Sequence, residues 1–520
     1  MSTNLEASPG AARHLARWQK AQQHLLHGRA ELAVPIYQDL LKQFPDTARL
    51  WYELAFAAGK QLDFALADTA GQRAAGLASK NVALLVLLGQ QYHWLRRTDR
   101  ARACFEQAVA AAPASLHAQL SLADWYERER RLEDAWRCVE AGEALDPQNA
   151  QVLCVKALLL HRRGQPAAAE NLLRDLIRRG SADANVNYSC RHQLAVVLDQ
   201  QGQYAEAWRW LGEAKAVLRQ NANVPKLEQA YDCYARHRRA LVEAIQPETI
   251  RRWREETPPA ELPHRLAFLG GHPRTGTTLL EQILGAHPEI VSFDESMAFP
   301  DEVADQLAPM NGPVALTVNA LNALAPARCA SFRQRYFKSL LRVPAAVPPG
   351  AVLLDKNPSP TAWLPLWLRL FPALKVIITL RDPRDVLISC CFQNLRLNAT
   401  NANFLSVERA AVHYADLMDV WLRLRDVGGF DWLETRYEDT VASLETEGRR
   451  LTEFLGLAWH PRQAAFHETN REKFIFSPTY NEAARPVYRR AVGRWKNYAE
   501  VLAPVQAKLA PYCRAFHYDA

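Results

Sequence analysis

The amino-acid sequence predicts two folds in one chain: an α-solenoid up to about residue 220, then an α/β domain with a central parallel sheet. Two observations predict this. Before residue 220, small residues and prolines recur at a step of 34, a period typical of stacked helical hairpins. After residue 264, short apolar runs alternate with longer helical patterns, which indicates strands joined by crossover helices.

The composition is typical of soluble globular protein. The chain has 520 residues, 49% of them hydrophobic and 23% charged, and a formal net charge of +7. Aromatic and basic residues are not interleaved, so we expect no nucleic-acid partner. No apolar run reaches the roughly 18 residues of a membrane helix, and the first thirty residues lack a signal-peptide core, so we expect a cytoplasmic protein without a membrane span. Nine scattered cysteines without a C-x-x-C pair indicate reduced thiols.

The patterns divide the chain into four predicted segments. Residues 1–13 are expected to be disordered, and residues 14–220 hold the repeats. Residues 221–264 predict a capping helix and a proline-rich connector, and residues 265–520 form the α/β domain.

The sequence pattern of each repeat predicts two antiparallel helices. An alanine on the second helix lets the pair approach closely, and a proline or serine closes the unit; both recur through the array, at Ala33, Ala67, Ala101, Ala135 and Ala169 and at Pro45, Ser79, Pro113, Pro147 and Ser181. A sixth unit, around Leu194 to Leu211, is displaced by four residues, which predicts a longer loop near residues 181–187.

This pattern resembles the tetratricopeptide repeat. The resemblance implies a right-handed solenoid of about six repeats, whose concave face would bind a peptide or protein. The alternative is a purely structural arm, or one that forms a homodimer.

The loop after the first predicted strand of the α/β domain is a candidate anion site. A strand-like run, residues 266–269, enters a Gly/Pro-rich turn, and a helical pattern follows. Such a loop directs backbone N–H groups and a helix N-terminus at an anion. Gly271 and Gly276 keep the spacing of an ATP-binding P-loop, but Thr277 replaces its lysine, and the cation lies inside the loop as Arg274. The loop therefore predicts a phosphate-like ligand without metal-assisted phosphoryl transfer.

A second candidate anion site follows the predicted strand at residues 375–380. Arg381 stands at the end of this strand, Pro383 can open a helix, and Ser389 lies two turns further on. An arginine fork and a serine hydroxyl can converge on one phosphate. The alternative is an ordinary strand-end salt bridge between the arginines and aspartates of this segment.

Together, Pro273–Thr278 and Arg381…Ser389 resemble the paired signature of sulfotransferases that use 3′-phosphoadenosine 5′-phosphosulfate (PAPS). The similarity is closest to the protein-tyrosine sulfotransferase branch and to bacterial proteins that fuse tetratricopeptide repeats to such a domain. It implies a P-loop-like α/β sulfotransferase domain, PAPS as co-substrate, adenosine 3′,5′-bisphosphate as product, a hydroxyl acceptor such as a protein tyrosine, and no metal. The sequence also lacks the ligand spacing of a zinc site.

The resemblance assigns two groups of nucleotide-binding residues. The first loop would hold the 5′-phosphosulfate, and the second motif, with the C-terminal segment, would hold the 3′-phosphate and the adenine side. The positions in chain order are Arg274, Thr275, Gly276, Thr277, Thr278, Arg381, Ser389, Tyr437, Arg485 and Lys496.

The same resemblance assigns four catalytic residues. Glu295 would take the acceptor proton, Lys356 would stabilise the bridging oxygen, and Arg274 would clamp the sulfuryl oxygens. Thr479 stands where the tyrosine-type enzymes have a serine. Asp294 is the rival for the role of base, with loop capping as its other explanation.

His287 is a third candidate base, because cytosolic sulfotransferases use a histidine. Its Ala-His-Pro segment is shared with the tyrosine-type branch, where a structural role is expected.

Two other functions compete with sulfuryl transfer. One is a repeat scaffold with an inactive PAPS-binding domain; the presence of both Glu295 and Lys356 speaks against it. The other is an ATP-dependent kinase, which the missing P-loop lysine disfavours. Residues 297–350 separate the base from Lys356 and are expected to shape the acceptor side.

Overall fold

The structure, a computed structural model, describes residues 11–256, 264–308, 315–342, 347–469, 473–477, 480–483 and 486–519. The chain forms two compact units. The first comprises Met1–Leu172 with Leu341–Ala345, and the second comprises Leu173–Leu340 with Ala346–Ala520. The predicted fold class, helical repeats followed by an α/β domain with a parallel sheet, is confirmed.

The first unit is built of paired helices joined by short turns. Its helices are α1 (Ala11–Leu26), α2 (Ala30–Gln43), α3 (Ala48–Lys60), α4 (Phe64–Leu77), α5 (Val82–Trp94), α6 (Thr98–Ala111), α7 (Leu116–Arg128), α8 (Leu132–Leu145) and α9 (Ala150–Arg162), followed by α10 (Pro166–Arg179), inside which the division between the units falls.

Small residues set the close approach of these helices. The recurring alanines, Ala67 among them, are fully buried. A Cβ added to Gly89 on α5 would lie 2.6 Å from the ring of Phe105 on α6. Glycine is therefore needed at this position because the aromatic ring of the paired helix occupies the space of a side chain.

The turns inside the hairpins show the same period as the sequence. One residue per turn has a left-handed backbone conformation, and these residues lie 34 apart at Gly28, Leu62, Arg96, Arg130 and Gly164. The next such residue at an equivalent turn, Gly202, comes 38 positions later (202 − 164), which is the repeat length plus the four-residue displacement.

The second unit begins with four further helices before its sheet. They are α11 (Ala184–Gln200), α12 (Tyr204–Gln220), α13 (Val224–Glu243) and α14 (Pro247–Glu256). The division between the units comes earlier in the chain than the predicted boundary at residue 220, so the domain limits drawn from the sequence stay a prediction.

The expected longer loop near residues 181–187 is wrong. The structure has only residues 180–183 between α10 and α11, and α11 begins at Ala184. The four additional residues lengthen the helix, because α11 has 17 residues where α9 has 13. Asp183 caps it by accepting the backbone N–H of Asn185.

The sheet of the second unit has five strands, all parallel in their pairings, in the order β2-β3-β1-β4-β5. The strands are β1 (Arg265–Gly271), β2 (Ile290–Asp294), β3 (Val352–Lys356), β4 (Lys375–Leu380) and β5 (Asp431–Arg436). Four of them lie where the apolar runs predicted strands. β2 was missed, because its three central residues are only half-buried and two of its five residues are polar.

The remaining helices of the second unit lie between and after the strands in the chain. They are α15 (Thr277–Gly285), α16 (Asp305–Leu307), α17 (Val318–Asn322), α18 (Pro326–Leu340), α19 (Leu364–Leu370), α20 (Pro383–Cys391), α21 (Val407–Val427), α22 (Tyr437–Ala442), α23 (Leu444–Phe454), α24 (Phe466–Thr469), α25 (Tyr480–Ala483), α26 (Ala499–Leu502) and α27 (Gln506–Ala515). A π-helical turn spans Pro300–Ala304, and 3₁₀ turns span Ser359–Trp363, Asn401–Leu405, Pro461–Gln463, Arg494–Tyr498 and Ala503–Val505.

The core of this unit lies under the sheet and between its helices. Leu269, Leu354 and Ile377 from three adjacent strands are fully buried in one apolar cluster. On the other face, the ring of Phe299 stacks on Trp367 at 3.7 Å. Because all strands run the same way, their carboxyl ends share one edge, which is where ligands bind in such sheets.

Within the described ranges, no helix is both long and apolar enough to cross a bilayer. The described histidine, cysteine and carboxylate side chains likewise form no cluster of three or more suited to a metal ion.

Candidate functional site

The loop between β1 and α15 has a backbone that only particular residues allow. Gly271 (φ +123°) has no room for a side chain, since a Cβ would lie 2.3 Å from the carbonyl oxygen of Thr379. Gly276 (φ +99°) precedes the first residue of α15, and a Cβ there would lie 2.6 Å from the ring of Tyr437. Thr275 Oγ1 donates to the carbonyl oxygen of His272 at 2.7 Å. The loop is thus held in shape, with the N-terminus of α15 at the ligand-binding edge of the sheet.

Lys356 ends β3 and is completely buried. Its ammonium forms a close ion pair with Asp294, at the end of the neighbouring strand β2. It also lies 3.4 Å from Glu295 Oε1 and donates to Thr278 Oγ1 at 3.4 Å. Burial alone would lower the pKa of Lys356, but the two adjacent carboxylates raise it above its usual value. Lys356 is therefore a permanent cation beside the first turn of α15.

The two adjacent carboxylates have different surroundings. The Asp294 side chain is 3% exposed, and Oδ2 accepts the backbone N–H groups of Phe476 and Ser477 at 2.7 and 3.0 Å. Burial would raise the pKa of Asp294, but the ammonium of Lys356 and these amides hold it below its usual value. Asp294 is thus fully engaged in holding Lys356 and the 473–477 segment.

Glu295 is the open carboxylate of the pair. Its side chain is 34% exposed, and its backbone is in the left-handed region at φ +47°. The N–H of Glu295 donates to the carbonyl oxygen of Lys356 at 2.7 Å. A left-handed glutamate costs roughly 1 kcal/mol, and such strain is found where the surrounding structure fixes a functional side chain.

The second motif joins the first loop directly. Arg274 (φ +75°) donates from Nε to Ser389 Oγ at 2.9 Å. Arg381 donates to the carbonyl oxygen of Arg274 at 3.1 Å, and its guanidinium lies 4.9 Å from the ring of Tyr437. The structure therefore brings Arg274, Arg381, Ser389 and Tyr437 into one cluster.

Part of this cluster is a salt-bridge network, as the alternative interpretation expected. Arg384 pairs with Asp382 at 2.8 Å, and Arg381 lies 3.7 Å from Asp385. However, Arg381 Nε is buried without a hydrogen-bond partner among the described residues. A buried guanidinium N–H without an acceptor is costly, and this one fits an additional anionic acceptor.

The structure describes only some of the predicted site residues in the C-terminal part of the chain. Lys496 is exposed, and its N–H donates to the carbonyl oxygen of Gly493 at 3.2 Å. Thr479 and Arg485 lie outside the described residues. Tyr437 is largely buried, and burial raises its pKa to about 12.

His287 lies in the turn before β2. It accepts the N–H of Glu289 at 3.0 Å, and its other ring nitrogen donates to the carbonyl oxygen of Ala458 at 2.9 Å. Both ring nitrogens are used in holding this turn, which is a structural role.

Three residues hold the site together in ways that the sequence did not predict; two of them, Thr361 and Thr379, were missed, and Asp385 was considered only as a salt-bridge partner. Thr361 Oγ1 accepts the N–H of Gly271 at 2.8 Å and donates to its carbonyl oxygen at 3.1 Å. Thr379 bonds Thr275 at 2.6 Å through their hydroxyls. Asp385 accepts the N–H groups of Gly493 and Trp495, both at 2.7 Å. Thr379 alone had a usable signal, a hydroxyl one residue before the end of a predicted strand.

Two segments of the chain match models of known families. Residues 267–461 match the sulfotransferase family, and residues 14–47 match the tetratricopeptide repeat. The chain therefore carries a sulfotransferase-family domain behind a tetratricopeptide-repeat segment.

The chain is similar to several known proteins at low identity. An uncharacterised protein of Aquifex aeolicus (strain VF5) is 27% identical over 352 residues; the match covers 64% of this chain and only 43% of that protein. Protein-tyrosine sulfotransferase 2 of Gallus gallus is 24% identical over 275 residues, which covers 49% of this chain and 69% of the relative. Among solved structures, the sulfotransferase domain of the Synechococcus PCC 7002 olefin synthase aligns with a TM-score of 0.36 at 21% identity, covering 51% of this chain and 98% of that domain.

Proposed function

We propose that this protein is a sulfotransferase that moves the sulfuryl group of PAPS to a hydroxyl acceptor. The strongest support is the contact of Arg274 with Ser389, 2.9 Å apart. It unites the loop after β1 and the motif after β4 into one cationic site, close to the Lys356–Glu295 pair through the first turn of α15.

The residues present fit a nucleotide with two anionic ends. Arg274 and Arg381 are guanidinium donors, Ser389 offers a hydroxyl, and the amides at the start of α15 add a third kind of anion donor. The unpartnered Nε of Arg381 would take one of the 3′-phosphate oxygens. PAPS supplies the activated sulfuryl group when bound.

The two carboxylates and the two cations near the acceptor side have different roles in the proposed reaction. Glu295, the open one, takes the proton of the acceptor hydroxyl as its oxygen bonds to sulfur and the bond from sulfur to the phosphate oxygen breaks. Lys356 and Arg274 face the negative charge that develops on the bridging and sulfuryl oxygens. Because Asp294 stays ionised beside it, Lys356 keeps a counter-ion when Glu295 becomes neutral.

The acceptor we propose is a protein tyrosine, brought by a peptide or protein that binds the repeats. The named tyrosine-sulfotransferase relative and the repeat segment support this choice. In the cell we place the reaction in the cytoplasm.

A radiolabelled-PAPS transfer assay tests this function. Purified wild-type protein should label tyrosyl peptides or a lysate protein and release adenosine 3′,5′-bisphosphate. Glu295→Gln should lower transfer by roughly 10²- to 10⁴-fold and still bind adenosine 3′,5′-bisphosphate, while Lys356→Ala should lower transfer as well.

Three outcomes would decide against it. Label that persists in both variants would remove the assigned residues from the reaction. Peptide binding without any nucleotide product would favour the scaffold, and ATP binding tighter than that of adenosine 3′,5′-bisphosphate would favour a kinase.

A further inference from the structure

Helix α11, which the sequence places in the last repeat, contacts the chain immediately after the Ser389 helix. His192 on α11 is buried and donates to the carbonyl oxygen of Phe392 at 3.0 Å. Tyr188, one turn earlier, accepts the N–H of Leu395 at 2.7 Å. The end of α20 is therefore held by two hydrogen bonds from a repeat helix within the same compact unit.

The same helix holds a second segment near the site. Asp199, near the end of α11, accepts the hydroxyl of Tyr498 at 2.5 Å and pairs with Arg494 at 2.9 Å. The side chains of Asp199 and Arg494 are 15% and 22% exposed. A half-buried ion pair whose carboxylate also accepts a hydrogen bond keeps its geometry better than an exposed pair.

The segment that Asp199 holds is bound on its other side by the second motif. Arg381 donates to the carbonyl oxygen of Ala491 at 2.5 Å, and Asp385 accepts the N–H groups of Gly493 and Trp495. The turn 491–498 therefore lies between Asp199 of the repeat helix and the arginine proposed to bind the 3′-phosphate.

We propose that Asp199 is a positioning residue for the 3′-phosphate site, acting through the turn 491–498 on Arg381. This rests on the proposed function. The carbonyl of Ala491 orients the Arg381 fork, so a shift of the turn moves the guanidinium that would meet the phosphate. Anion sites depend on supporting residues that keep such groups within about 0.5 Å of their place. The last helical hairpin is then part of the nucleotide site, beyond any role in partner binding.

The test is the preference for a 3′-phosphate. Calorimetry should compare the binding of adenosine 3′,5′-bisphosphate and adenosine 5′-monophosphate to the full-length protein and to Asp199→Asn. Asparagine keeps the size of the side chain and an acceptor for Tyr498 but loses the charge that holds Arg494. The dissociation constant for adenosine 5′-monophosphate divided by that for adenosine 3′,5′-bisphosphate measures the preference for a 3′-phosphate. In Asp199→Asn this ratio should fall by about tenfold, with KM for PAPS raised and kcat little changed.

A matched control is Glu206→Gln on the neighbouring helix α12. Glu206 also pairs with an arginine, Arg174 at 2.9 Å, and its contacts with Arg209 and Trp210 stay on α12. This variant should keep the wild-type ratio. A merely structural effect of Asp199 would lower the melting temperature and leave the ratio unchanged, which would overturn the proposal.

Different results would contradict the proposed function and the positioning role of Asp199. If the wild-type protein does not bind adenosine 3′,5′-bisphosphate, the proposed function fails. If it binds and Asp199→Asn keeps the wild-type ratio, only the positioning role fails. Should Asp199→Asn not fold, Tyr498→Phe, which removes one hydrogen bond alone, must lower the ratio in the same direction, and an unchanged ratio there is equally decisive.

Discussion

Exchanging Asp294 for asparagine should strongly destabilise the α/β part of the molecule, whereas exchanging its neighbour Glu295 for glutamine should leave the fold intact. The two carboxylates are adjacent in sequence and both contact the ammonium of Lys356. They differ in burial: the Asp294 side chain is 3% exposed and that of Glu295 is 34% exposed.

The magnitudes follow from these surroundings. Removing one partner of a buried ion pair costs roughly 3–5 kcal/mol, because the other charge stays in the interior without compensation. The side-chain amide oxygen in the Asp294→Asn variant would still accept the N–H groups of Phe476 and Ser477, so the loss is that of the charge alone. Glu295 is the partly exposed carboxylate, 3.4 Å from the ammonium, and Asp294 still compensates Lys356 when Glu295 is replaced, so the loss of the Glu295 charge should cost less than the loss of the Asp294 charge.

The stabilities of the two variants can be compared by urea denaturation, with tryptophan fluorescence as the signal. The relevant transition is that of the unit that contains the sheet. Asp294→Asn should move this transition to clearly lower urea, and Glu295→Gln should not move it. The double variant Asp294→Asn/Lys356→Met should recover much of the loss, because it removes the stranded charge. A wild-type midpoint for Asp294→Asn would refute the reasoning, since the buried ammonium would then be compensated without Asp294.

Three further outcomes are expected. Gly276→Ala should weaken adenosine 3′,5′-bisphosphate binding at least tenfold and lower stability by about 1–3 kcal/mol, because its Cβ would lie 2.6 Å from the Tyr437 ring at φ +99°; wild-type affinity in calorimetry would contradict this. Ser389→Ala should weaken the same ligand by about 5- to 20-fold, since the 3′-phosphate would lose the hydroxyl proposed to donate to it; an equal loss for adenosine 5′-monophosphate would place Ser389 away from the 3′-phosphate. Burial lowers the pKa of His272 to about 4, so the unfolded chain binds the additional proton below about pH 6.5, and the contribution of this imidazole to the free energy of unfolding should fall by about 1.4 kcal/mol per pH unit from there until it levels near pH 4. Burial also lowers the pKa of His192 and His413, which add to the fall; a denaturation midpoint that stays flat between pH 6.5 and 4.5 would exclude buried neutral imidazoles.

Local sequence patterns predicted most of the fold. The 34-residue step predicted the helical hairpins, and the left-handed turn residues repeat with the same step. Four strands could be read from apolar runs, and three of them, β1, β3 and β4, are almost entirely buried, as strands covered on both faces are nearly continuous in hydrophobic residues. The edge strand β2 could not, since Ser292 and Asp294 interrupt its pattern. The four additional residues before the sixth unit were visible in the sequence, but not that a helix would absorb them.

The chain by itself determined the chemistry available to the site. Glycine spacing, the displaced cation Arg274, and the Arg381…Ser389 motif all follow from residue order, because a loop at a strand end needs particular backbone conformations and donors. Which of two adjacent carboxylates is open, Glu295 or Asp294, depends on contacts with residues about 60 and 180 positions away. The contact of Asp199 with residues 494 and 498 joins positions about 300 residues apart. Only the tertiary structure decided these points, because burial and charge pairing arise between segments that no local pattern connects.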